Sequence, residues 1–135
     1  MMHKFLSASP IYQDLSLAFI RILTGLLMVY HGWEIFDAAT MKGYLEWDMF
    51  KNPSGNTMIY LGKGAELVSG ILLTLGLLTR LGALMLLFSM TYIAFFVGHG
   101  KVWYGDQHPF MFVLLAIIYL SVGGGPYSLD KRLFQ

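Results

Sequence analysis

The sequence predicts an all-α integral membrane protein, an antiparallel four-helix bundle, and three observations carry that reading. Of 135 residues, 56% are hydrophobic and only 13% charged, whereas a soluble domain carries about a quarter charged residues. Mean hydropathy is +0.60. The apolar residues are gathered into four long runs, and a bilayer core about 30 Å thick needs roughly 20 helical residues to cross it. Four such runs use most of the chain, so residues 1–135 form one domain.

The segment before the first run is short and mixed, with Pro10 as a helix boundary. The first helix is expected at about 15–36. It is longer than a secretory h-region, and Gly32-Trp33-Glu34 is a poor cleavage site, so it reads as a retained helix. Residues 37–56 form the one substantial loop. It keeps Tyr44, Trp47 and Phe50 and closes on Asn52-Pro53-Ser54-Gly55-Asn56. A loop of that length with its aromatics retained is expected to lie in the membrane interface. The second helix is expected at 57–78, the third at 80–97 after a tight turn at Thr79-Arg80, and the fourth at 109–122, with Pro109 in its first turn. Gly123-Gly124-Gly125-Pro126 ends the fourth helix.

Four spans place both termini on one side, with Lys4, Arg21, Arg80, Lys131 and Arg132. Lys42, Lys51, Lys63 and Lys101 fall on the other, together with the loop acids Asp37, Glu46, Asp48 and Asp106. That distribution favours cytoplasmic termini, with both large loops outside. A net charge of +1 and the lack of any basic cluster exclude nucleic acid as a partner. With no cysteine, the chain cannot form disulfides or relay thiols.

Charges inside apolar spans are costly unless paired or wetted. Glu66 lies roughly 13 Å and Lys63 roughly 9 Å below the loop-side end of the second helix, and His31 and Glu34 lie near the corresponding end of the first. His31/Glu34 and Lys63/Glu66 are each three apart and share a helix face. Gly62, Gly64, Ala65, Ser69 and Gly70 flank Glu66, and such small residues let helices approach closely. His99 and His108 fall at the same end. The plain structural alternatives are that Lys63 simply pairs with Glu66 or Glu34, and that His31 is a hydrogen-bonded interior or interfacial residue. In the same vein, His99 and His108 are exposed, Arg21 and Arg80 snorkel to headgroups, and the nine methionines are packing. The functional readings are a pocket for a lipophilic quinone, a metal site of His31, Glu34, Glu66, His99 and His108 in which His31-x-x-Glu34 would be half of a di-metal pair, and a bis-histidine haem site. The metal reading lacks its matching half, and nothing in the spacing requires haem.

Three segments together are distinctive: Arg21-Ile-Leu-Thr-Gly25 with His31-Gly32-Trp33-Glu34; Ala65-Glu66-Leu67-Val68-Ser69-Gly70 running to Leu78-Thr79-Arg80; and Gly123-Gly-Gly-Pro-Tyr127-Ser128-Leu129-Asp130. They resemble the DoxX family of small bacterial four-helix membrane proteins from Arg21 to Leu133. Glu34 stands where many members carry a basic residue. The resemblance implies a membrane subunit, in some relatives of thiosulfate:quinone oxidoreductase and in others of oxidative-stress complexes. The expectation is therefore a quinone-linked redox subunit. Glu66, His31 and Glu34 would exchange protons, with Trp33, Tyr92, Lys63 and His99 around the cofactor and no metal. The partners expected are the lipid bilayer and a protein partner or second copy. The alternative is a non-catalytic assembly subunit in which Glu66 and Lys63 only fix helix packing. A solute carrier fits less well, because four short helices leave little room for a path.

Overall fold

The computed structural model describes residues 2–135, and these form helices and turns with no strand among them. The order is α1 (Met2–Leu6), α2 (Gln13–Gly32), α3 (Ala38–Tyr44), α4 (Gly55–Leu75), α5 (Thr79–Tyr92), α6 (Gln107–Val122) and α7 (Leu129–Phe134). A 3-10 turn extends α2 through Trp33–Phe36, and a π-turn extends α5 through Ile93–Val97. With these extensions three helices are long and apolar enough to cross a membrane: Gln13–Phe36, Gly55–Leu75 and Thr79–Val97. The fourth, Gln107–Val122, is apolar but has 16 residues. Large apolar side chains stand exposed along these helices, among them Phe19, Leu26, Leu61, Phe88 and Ile117. A water-facing surface rarely carries so much contiguous apolar area, and a lipid-facing one does.

Neighbouring helices run antiparallel. Gly25 lies against Gly70 and Thr74, and Gly32 lies against Leu67, so α2 and α4 pass with their backbones nearly touching. A Cβ at Gly25 or Gly70 would collide with the facing backbone, which makes these glycines the condition for the α2–α4 approach. Between α4 and α5 the chain reverses sharply. Gly76 (φ 64°) ends α4 in the left-handed region, and the Leu77 amide bonds back to the Leu72 carbonyl at 3.0 Å. Leu78 (φ 46°) then opens α5. The turn therefore lies three residues earlier than Thr79-Arg80, and α4 stops at Leu75 rather than 78. Arg80 holds the α5–α6 contact by donating Nε to the Leu120 carbonyl at 3.1 Å.

The main core joins Met28, Leu73, Leu86, Met90, Phe112 and Tyr119. Arg21 is the principal correction to the sequence reading. It does not reach outward to headgroups but is 1% exposed. Its guanidinium donates to the Leu73 carbonyl at 2.8 Å and the Tyr127 carbonyl at 2.7 Å, packed against Gly76. The carboxylate of Asp130 accepts from the amides of Leu78 at 2.6 Å and Thr79 at 2.9 Å, capping α5 from the C-terminal segment. Burial opposes ionisation of Asp130, but its hydrogen bonds to Thr79 and Leu78 outweigh this and hold its carboxyl below the usual range.

The long loop folds as structure in its own right. Asp37 caps α3 by accepting from Ala39 at 3.0 Å, and the chain then packs Met41 and Phe50 on Ile59 as a second core. It closes one end of the molecule, called here the loop end. The end holding Arg21 and the C-terminal segment is the terminal end.

Candidate functional site

At the loop end the sequence places a lysine between two carboxylates, and the fold completes the arrangement. Lys63 Nζ lies 2.8 Å from Glu34 Oε2 and 3.0 Å from Glu66 Oε2. Its third partner is the His31 carbonyl at 3.4 Å. An ammonium has three donors, so Lys63 is fully committed. Tyr44 donates its hydroxyl to Glu34 Oε2 at 2.6 Å, and its ring lies under the ammonium, 5.2 Å from centroid to Nζ. Burial, and then the bond to the Glu34 carboxylate, pushes the Tyr44 hydroxyl pKa up. Counting Glu34, Lys63 and Glu66, the cluster carries net charge −1.

Beside it lies a cavity of about 830 Å³, within the size range of small-molecule sites. Glu66, Lys63, His31 and His108 are on its wall, and Met28, Met85 and Met90 are among its apolar lining. Tyr44, Trp47 and Phe50 cover it from the loop end. Leu61 on α4 (69% exposed) and Phe88 on α5 (67% exposed) stand on its flank, so it opens sideways between these two helices. The π-turn that ends α5 contributes Ile93 and Val97, and such turns are frequent at functional sites.

Glu66 is 4% exposed, and its Oε1 has no hydrogen-bond partner among the described residues. The His31 and His108 rings meet edge to face with centroids 5.8 Å apart, and neither ring nitrogen is hydrogen-bonded among the described residues. The histidines close the loop-end contact between α2 and α6. Tyr119 closes the opposite end by donating to the Leu17 carbonyl at 3.0 Å.

The sequence-derived site is thus partly assembled. Glu66, Lys63 and Glu34 meet, and His31 and Tyr92 line the cavity. Glu34 contacts Lys63 without lining the cavity, because the 3-10 turn after Gly32 takes it off the His31 face. Trp33 is 62% exposed against Phe36 and faces away. His99 is exposed in the 98–106 loop, where its backbone amide, not its ring, bonds Asp106 at 2.9 Å. Trp103 is 91% exposed. One contributor was missed. Tyr44 is returned to Lys63 by α3, whose capping aspartate was the available signal. His108, expected at this end, is exposed yet lines the cavity with His31, and only the α2–α6 packing pairs them. Among the described residues no three His, Asp or Glu side chains converge as a metal would require.

These features define a small all-helical membrane protein with a laterally open cavity and one ion cluster on its wall. The chain belongs to the DoxX family, whose pattern it matches over residues 16–100, from α2 into the loop after α5. It is also similar to an uncharacterised protein of Haemophilus influenzae, 28% identical over 131 residues that cover 92% of this chain and 95% of the relative. No solved structure matches.

Proposed function

We propose that the chain crosses the bacterial cytoplasmic membrane four times as an antiparallel bundle of α2, α4, α5 and α6, termini in the cytoplasm, and acts as a small quinone-linked redox subunit. At 16 residues α6 reaches about 24 Å, so its crossing relies on local thinning or on the glycines that follow it. The observation that carries the functional reading is the cavity itself, apolar and laterally open, with a buried carboxylate and an imidazole on its wall. A quinone ring would lie among the methionines and aromatics, whose sulfur and π faces suit a flat ring. Glu66 and His31 are the groups positioned to exchange protons with it. Glu34 and Tyr44 hold Lys63, and through it the Glu66 carboxylate.

The test begins by isolating the protein with its partners from native membranes and assaying quinone-linked turnover. Glu66→Gln should abolish turnover while the melting temperature shows a folded protein. Turnover at the wild-type rate in Glu66→Gln would sink the assignment.

A second reading is favoured by one specific observation, the complete saturation of Lys63. If the cluster serves only to fix α2 on α4, the chain is a non-catalytic assembly subunit of a larger membrane complex. Stoichiometric co-purification with a complex lacking any redox component would select it.

A further inference from the structure

The hydrogen-bond inventory of the cavity leaves one charged group with capacity to spare. The fixed cation, Lys63, spends its three donors on Glu34 Oε2, Glu66 Oε2 and the His31 carbonyl. What remains on the wall is one charged acceptor, Glu66 Oε1, among neutral groups that can donate: the rings of His31 and His108, the Tyr92 hydroxyl and the Trp47 indole N–H. The cluster behind it has net charge −1. An anionic headgroup therefore meets like charge and no available ammonium, which disfavours a phospholipid phosphate as the occupant. A ligand that offers only carbonyl oxygens can pair with a histidine N–H but gives Glu66 Oε1 no donor. A ligand bearing hydroxyls donates to that oxygen in a charge-assisted bond.

We infer that the cavity is a site for the reduced, hydroxyl-bearing form of a lipophilic ring, a quinol or long-tailed phenol, and that Glu66 Oε1 is the acceptor that selects it over the oxidised carbonyl form. The inference rests on the quinone-linked reading and adds a direction to it. The flank supplies the second half of the recognition. Leu61 and Phe88 border an opening that faces lipid in the proposed membrane orientation, so a hydrocarbon tail can remain in the bilayer while the ring occupies the cavity. The four remaining protonatable neighbours, His31 from α2, His108 from α6, Tyr44 from α3 and Tyr92 from α5, frame the ring without competing for the Glu66 oxygen.

The experiment uses the full chain in lipid nanodiscs under argon, titrated calorimetrically with decyl-benzoquinol, decyl-benzoquinone and dodecylamine. The quinol should bind about tenfold or more tighter than the quinone, the gain of one hydrogen bond to a charged group. Glu66→Gln should bring the ratio close to one, because a neutral amide can accept from the quinol hydroxyl and donate to the quinone carbonyl alike. The wild-type ratio decides the matter even where a variant fails to fold. Equal or tighter quinone binding would overturn the acceptor argument and leave the quinone reading standing. Binding of neither ring form would remove both. Tighter binding of the amine would show that the negative cluster selects cations, and the inference would fall.

Discussion

The two ends of this molecule each bury a cation, and they use it in opposite ways. At the terminal end Arg21 is enclosed by backbone carbonyls, with Gly76 left bare to make room and Asp130 capping the adjacent helix. At the loop end Lys63 is held by two carboxylates beside a cavity of about 830 Å³. The first arrangement joins α2, the α4–α5 turn and the C-terminal segment into a clasp. The second leaves a carboxylate oxygen and two imidazoles facing open space. A planar guanidinium with five fixed donors suits a site that ties several carbonyls together, and a point-charge ammonium suits one that can be neutralised from two sides. The contrast also separates the distinctive segments of the chain by role. Arg21, Thr79 and the Tyr127–Asp130 segment maintain the fold. The residues proposed for chemistry, Glu66 and His31, belong to the other end.

The largest effect expected from breaking this contrast is at the clasp. Arg21→Leu removes two charge-assisted bonds, to the Leu73 and Tyr127 carbonyls, a loss of about 4 kcal/mol. Thermal melting in detergent should show a protein that barely folds, and a melting temperature within a few degrees of wild type would refute the clasp. At the loop end, Glu34→Gln with Glu66→Gln strips Lys63 of both anions. That double change should cost about 3 kcal/mol, and each single change only about 1 kcal/mol, because the remaining carboxylate still pairs the lysine. Additive single effects would mean the two carboxylates act independently.

Asp130→Asn tests the cap and its pH dependence, at about 1 kcal/mol. The folded carboxyl titrates below its ordinary 3.8, so its stabilising contribution is complete above that value and fades as pH falls through the folded pKa. Wild type should therefore lose stability between about pH 5 and pH 2 more steeply than Asp130→Asn. Parallel acid melts would contradict the assigned role. The smallest effect belongs to Tyr44→Phe, which deletes one hydrogen bond to Glu34 for about 1 kcal/mol or less. It should weaken the loop end, seen as faster amide exchange in α3, with the clasp unchanged.

Much of the fold is legible in the sequence because the bilayer imposes long apolar runs, and these set the helices within a few residues. The α4 boundary was misplaced because Leu77 and Leu78 continue the apolar run. The left-handed turn at Gly76 is a backbone event that hydropathy does not register. Glu66, Lys63 and Glu34 could be matched from helical spacing and opposite charge. Trp33 and His99 were expected around the ligand because depth alone was estimated. The rotation that turns Trp33 outward, and the loop that leaves His99 exposed, are set by neighbouring segments.

The sequence by itself determined an all-helical, membrane-embedded class of chain and the approximate helices, since hydropathy and local periodicity act along the chain, and its motifs pointed to the family. Only the tertiary structure decided that Arg21 is enclosed rather than snorkelling, that Tyr44 returns to Lys63, and that His31 meets His108. Each of those outcomes depends on a partner many residues away, brought near by backbones that can approach only where glycine leaves space.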